Sequence, residues 1–270
     1  MTNLMKADMY RIMRGKGIYI TFAVMLSIII LTVFVMRVAP IVGVSPEVVI
    51  DEFVFDDEQL MAAETMSAAI AAQMAIDSMN NIIYFFLPLL VLVSMATFSS
   101  GAVKNELTVG ISRTKFYLSK WLLAVGISLA FMALFVLLHI IFALMVDGMG
   151  YWPGGAIVDM LQAFGLQALL TIGLVSVGIF FGFLTRRTSA TIGLYIALAL
   201  VPSLVISILM VPFPRAVEAF NYDLSGLYFH FATPSLMTNF EIGRGIIVAL
   251  GYIVVATVAG IALFKRAEVK

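Results

Sequence analysis

Six stretches of this chain run for 20 to 27 residues without an Asp, Glu, Lys or Arg: 17–36, 78–103, 121–146, 160–185, 188–214 and 245–264. A helix rises about 1.5 Å per residue, so roughly 20 residues cross a hydrocarbon core of about 30 Å. Backbone amides cannot be left unpaired in lipid, which makes helices the expected form of each crossing. The pattern predicts an all-α integral membrane protein with spans at 17–37, 80–100, 120–146, 158–185, 189–212 and 245–264. Loops at 38–79 and 213–244 lie on one side, and a polar segment at 101–117 on the other.

Composition agrees. Of 270 residues, 62% are hydrophobic and 12% charged, and mean hydropathy is +1.08. A soluble domain could not hide that much apolar surface. The basic start before the first run imitates a signal peptide, but the run exceeds an h-region of about 7–15 residues, so an uncleaved first span is expected. With no cysteine, no disulfide staples a loop. No repeat and no separate soluble domain is apparent.

Charge sets the expected orientation. If the N-terminus is inside and the spans alternate, 13 of 16 cations but 3 of 16 acids fall inside, giving +10 there and −10 outside. The positive-inside rule then places both termini on the cytoplasmic side, and a bacterial cell membrane is the expected setting. Tyr117 and Trp121, and Tyr151 and Trp152, stand at opposite edges of span three, as an interfacial aromatic belt would.

The runs hold no ionisable relay except His139, in "LLHII". A neutral histidine bonded to a neighbouring helix is favoured over a relay. No HExxH, GxSxG or GxxxxGK[ST] occurs, so neither an enzyme of those kinds nor a P-loop ATPase is expected, and no metal site or nucleic-acid partner. Pro88 and Pro202 sit within runs, where each favours a kink that can line a pathway. Gly178 with Gly182, and Ala256 with Gly260, suit close helix packing.

Two polar segments are large enough to meet a partner inside. "LMKADMYRIMRGKGIYI" carries Leu4, Met5, Met9, Ile12 and Met13 near one side and Lys6, Arg14 and Lys16 elsewhere. It suits a helix lying in the interface, or a plain basic flank. "GAVKNELTVGISRTKFYLSK", 101–120, is divided by Gly110: "KNELTV" suits a short helix, and Ser112 is placed to cap the next. Such an elbow can pass a push into two spans; the alternative is an ordinary basic loop.

Gly101, Lys104, Asn105, Glu106, Gly110, Arg113, Tyr117 and Lys120 carry a resemblance to the loop between spans two and three of ABC-2 type permeases. The likeness is closest to the small six-span permeases of bacitracin- and lantibiotic-resistance exporters. Elsewhere it rests on layout: the amphipathic start, six spans and the short basic tail. The long loop 38–79 departs from the family pattern. The resemblance implies a coupling helix in which Lys104, Asn105, Glu106, Leu107, Gly110 and Arg113 dock on a separate ATP-binding subunit. ATP and magnesium would be held on that partner, with no cofactor here. A second six-span chain, the same or homologous, would complete the membrane domain. The exported substrate would be an amphipathic or antimicrobial-type peptide. Asp51, Glu52, Asp56 and Asp57 in loop one could attract such cations; the acids at 56–58 also suit the start of a helix over 58–77. An ion-coupled carrier and a non-transporting sensor or immunity scaffold stand as alternatives.

Overall fold

The computed structural model describes residues 2–38, 68–79, 88–94, 98, 103, 106, 108, 110–147 and 155–266. No strand occurs among them. The helices are α1 (Thr2–Arg14), α2 (Lys16–Val38), α3 (Ala68–Asp77), α4 (Arg113–Asp147), α5 (Ala156–Thr185), α6 (Thr188–Met210), α7 (Leu224–His230) and α8 (Asn239–Arg266). Short 3-10 turns at Pro214–Tyr222 and Pro234–Leu236 flank α7.

Five of these helices, α2, α4, α5, α6 and α8, are long and apolar enough to cross a membrane. The chain is an all-α membrane protein. The expected second span at 80–100 lies mostly outside the described residues; those described, 88–94 and 98, are helical.

Helix α5 is the axis of the bundle, with α8 as its most extensive neighbour and α4, α6, α3 and α7 around it. Its buried positions include Gly173, Ser176, Gly178 and Gly182, small side chains that let neighbouring backbones approach. By contrast α6 and α8 turn apolar side chains outward, among them Ile208 (69% exposed) and Ile247 (71%), as lipid-facing helices do. Helix α4 has 35 residues and so measures roughly 52 Å, well beyond a hydrocarbon core of about 30 Å. It therefore joins structure at both ends of the bundle. Among the described residues, one end carries Lys16, Lys115, Arg186, Arg187 and Lys265 and the other Asp77, Glu218, Asp223 and Glu241, the basic and the acidic end.

Several boundaries differ from the pattern. Helix α8 begins at Asn239 rather than near 245. Thr238 and Glu241 cap it reciprocally, with Glu241 N–H donating to Thr238 Oγ1 (3.3 Å) and Thr238 N–H to Glu241 Oε2 (2.8 Å), a capping box that starts the helix before its apolar run. The expected helix near 58–77 is described only as α3, and it is not peripheral. Ala72, Ala75, Ile76 and Met79 are buried against α4 and α5. Loop 213–244 folds back likewise. Leu224, Leu227, Tyr228 and Phe231 are buried, while Tyr222 and Phe229 stay exposed.

Candidate functional site

The basic end is built around the start of α4. Gly110 stands in a turn at φ +90°, a backbone region open to glycine and costly for other residues. Before it, the described residues Val103, Glu106 and Thr108 are helical, with Val103 buried and Thr108 exposed. After it, Ser112 caps α4: its Oγ accepts from the Lys115 N–H at 3.4 Å and its carbonyl from the Phe116 N–H at 3.0 Å. Two helical segments thus meet at a glycine turn.

The first turns of α4 touch four other parts of the chain. Arg113 donates to the carbonyls of Phe264 (3.2 Å) and Lys265 (2.9 Å), closing otherwise open acceptors at the C-terminus of α8. Phe116 stacks on Phe264 with ring centres 5.5 Å apart, and Tyr117 lies 4.7 Å from Phe183 of α5. Phe98, from the expected second span, meets Phe183 edge-on at 5.2 Å. Gly260 of α8 permits this knot, because a Cβ there would fall on the Tyr117 ring. Trp121, expected in the interfacial belt, instead donates its indole N–H to Ser176 of α5 at 2.8 Å.

Beneath the elbow lies a charge cluster. Lys120 is fully buried. Its Nζ donates to Asp8 Oδ2 of α1 at 2.5 Å and stands 3.9 Å from Glu106 Oε2. Asp8, 3% exposed, also accepts from Arg11 at 2.7 Å. Glu106 Oε2 has no hydrogen-bond partner. Burial pushes the Glu106 carboxyl above the usual range, the Lys120 charge opposes this, and the Asp8 charge adds to it. A buried ammonium is tolerated because a carboxylate meets it directly.

This pairing corrects the reading of α1. Leu4, Met5, Met9, Ile12 and Met13 do not lie on one side of it, Leu4 and Met5 being half-buried. Asp8 and Ile12 turn inward, while Met9 and Met13 are exposed. The roll of α1 follows its buried acid rather than its methionines. A single carboxylate among cations was visible in the sequence, but its partner, Lys120, is 112 residues away.

Of the residues expected to dock a partner, Glu106, Gly110 and Arg113 converge at this elbow. Glu106 is half-buried, Gly110 exposed, and Arg113 engages α8. Lys104, Asn105 and Leu107 lie outside the described residues, as do Asp51, Glu52, Asp56 and Asp57. The pathway candidates lie on three different helical segments. Pro88 is helical and exposed. Pro202 lies within α6, and there Ser203 Oγ donates to Asp223 Oδ2 (3.0 Å) and Ser225 Oγ to the Ala199 carbonyl (3.2 Å). His139 is buried. Its Nδ1 lies 2.9 Å from the Phe135 carbonyl on its own helix, so the expected bond to a neighbouring helix is replaced by one within α4.

The acidic end holds what sequence reasoning did not single out. Gln167 Nε2 of α5 donates to the carbonyls of Ile76 (3.0 Å) and Tyr228 (3.1 Å). Gln73 Nε2 donates to Asp77 Oδ1 (3.0 Å) and the Ala232 carbonyl (3.3 Å). Thr171 Oγ1 and Tyr228 OH are 2.7 Å apart. Burial raises the Asp77 carboxyl to about 7, against the Gln73 hydrogen bond that lowers it. Among the described residues, no three His, Cys, Asp or Glu side chains come together as a metal would require.

Residues 48–269 match the family model described as a protein of unknown function, DUF2705. No curated protein matches the chain.

Proposed function

We propose that this chain, which belongs to the DUF2705 family of proteins of unknown function, is the membrane-spanning permease subunit of an ATP-binding cassette exporter. Its basic end would face the cytoplasm, a sixth span would lie at 80–100, and a separate subunit would hydrolyse ATP. The observation that carries the reading is the elbow. A positive-φ glycine separates a short helical segment from a capped 35-residue helix. The first turns of that helix hold α1 through Asp8, α5 through Phe183 and α8 through the Phe264 and Lys265 carbonyls. A partner pressing on this one exposed turn would move rigid elements that run to the far end of the bundle.

The resemblance of 101–120 to ABC-2 permease coupling segments supplies the class of partner. It also supplies the substrate class, an amphipathic or antimicrobial-type peptide, and the pairing with a second six-span chain. A clean test uses Gly110→Ala. A Cβ at Gly110 meets nothing within 4 Å, so the substitution strains only the backbone turn. Folding should be retained, with a stability loss of about 1 kcal/mol. The full chain, with Lys104→Cys as a crosslinking site, should trap an ATP-binding cassette subunit in cells. Gly110→Ala should weaken the peptide-stimulated ATP hydrolysis of the purified pair. Failure to trap such a subunit, or stimulation unchanged by Gly110→Ala, would sink the proposal.

A second reading, a proton-coupled carrier, draws on Asp77. This carboxyl is largely buried, is raised to about 7, and its Oδ2 has no hydrogen-bond partner. It requires that Asp77→Asn abolish pH-driven uptake or efflux in vesicles without ATP.

A further inference from the structure

The Asp8–Lys120 pair fixes which side of α1 faces outward. With Asp8 and Ile12 turned in, Lys6, Met9, Tyr10, Met13 and Arg14 are exposed, Tyr10 at 60%. The Arg14 guanidinium rests 4.9 Å over the Tyr10 ring. Past the bend at Gly15 the exposed surface continues onto α2 as Lys16, Tyr19 and Ile20, and then as Val24, Leu31 and Phe34.

Helix α2 is one of the five long enough to cross a membrane, so its outward apolar side faces hydrocarbon. The α1 surface, with Lys16 at the head of α2, prolongs that side but changes its chemistry, from mainly apolar to apolar with three cations, Lys6, Arg14 and Lys16. Asp8 is the only acid in the first 46 residues, and it is spent inside on Lys120 and Arg11. Among the described residues, no carboxylate pairs with Lys6, Arg14 or Lys16. A wholly apolar face would sink into the hydrocarbon and a wholly charged one would sit in water. Methionine and tyrosine among unneutralised cations match the headgroup layer, where long basic side chains reach phosphates while apolar ones enter between acyl chains.

We propose that the outward face of α1 binds anionic phospholipid headgroups of the leaflet at the basic end. Lys6, Arg14 and Lys16 meet the phosphates, and Met9, Tyr10 and Met13 enter between the lipids. Continuity with the lipid-facing side of α2 favours a lipid occupant over a protein one.

The chain has no cysteine, so Met13→Cys can carry a single polarity-sensitive dye in the full-length protein. In nanodiscs containing phosphatidylglycerol the dye should emit further to the blue than in pure phosphatidylcholine. Its quenching by iodide should fall roughly threefold or more. Raising salt from about 0.05 M to about 0.5 M cuts the Debye length from roughly 14 Å to roughly 4 Å, and should erase most of that difference. The triple variant Lys6→Gln, Arg14→Gln, Lys16→Gln should erase it at low salt, whereas Lys115→Gln, an exposed cation off this face, should not. The salt titration of the parent serves even if the triple variant folds poorly. Equal dye behaviour in both lipids, or an equal effect of Lys115→Gln, overturns the proposal. So does a dye that responds only to an added ATP-binding protein, which would give the face to a protein partner.

Discussion

At the basic end of the bundle, helices are tied by a fully buried ammonium between two carboxylates, set against a knot of four phenylalanine rings and a tyrosine. At the acidic end, the donors that cross between elements are amides and hydroxyls, Ser203 to the Asp223 carboxylate among them. Gln167 satisfies the helix carbonyls of Ile76 and Tyr228, Gln73 the Ala232 carbonyl just past α7, and Thr171 pairs with Tyr228. A buried ion pair is stringent, since removing either partner strands the other in low dielectric. An amide donating to carbonyls is forgiving, because each lost bond removes one neutral interaction. The end proposed to receive a push is therefore rigidly specified, and the opposite end is stitched by many exchangeable bonds.

The sharpest way to break this contrast is Lys120→Met. It takes the buried ammonium from Asp8 and Glu106, leaving Asp8 only Arg11, and should lower stability by about 3–5 kcal/mol, whereas Lys120→Met with Asp8→Leu should recover most of the loss. Thermal unfolding in detergent of the two single variants and the double variant measures the coupling; additive losses would show that the pair is not the tie.

At the acidic end, the next largest effect is pH-dependent. Asp77 titrates near 3.8 when unfolded and about 7 in the fold. Its proton is held more tightly in the folded chain, so the fold is favoured while Asp77 is protonated. Stability should fall as pH rises from about 4 to about 7 and level off above, by up to a few kcal/mol. Burial also raises Asp223, which adds a slope of the same sign. Asp77→Asn should therefore flatten, without abolishing, the fall in melting temperature between about pH 5 and about pH 8. An identical slope in the variant would show that Asp77 is not the titrating group.

Gln167→Leu should follow, leaving the Ile76 and Tyr228 carbonyls without their donor and lowering stability by about 1–3 kcal/mol. A loss as large as that of Lys120→Met would erase the contrast between the ends. The smallest effect is expected at Tyr117, whose hydroxyl is buried without a partner. Tyr117→Phe should be neutral or slightly stabilising by unfolding midpoint; a clear loss would reveal a hydroxyl partner within the knot.

Much of the elbow could be read from the chain. Gly110, placed between two short polar segments, and Ser112, placed before "RTKFYLSK", became a positive-φ turn and a helix cap as their chemistry required. The "TNFE" at 238–241 also announces the early start of α8, because a Thr followed three residues later by Glu is a capping signal. Gln73 interrupts the apolar sequence of α3 and cross-links it to the Ala232 carbonyl. A polar residue that looks misplaced on a wheel can be one that reaches a distant carbonyl.

What the sequence determined by itself is what depends on neighbours along the chain. Charge-free length makes the membrane helices, left-handed backbone preference makes the Gly110 turn, and local hydrogen bonding makes the caps. Tertiary structure decided the rest: that Asp8 finds Lys120, that α1 therefore turns Met9 and Met13 outward, and that α3 and α7 pack into the bundle. These outcomes turn on which buried polar group meets which partner across 57 to 159 residues of chain. In a low-dielectric interior that match outweighs the apolar stripe of any single helix, and spacing along the chain does not encode it.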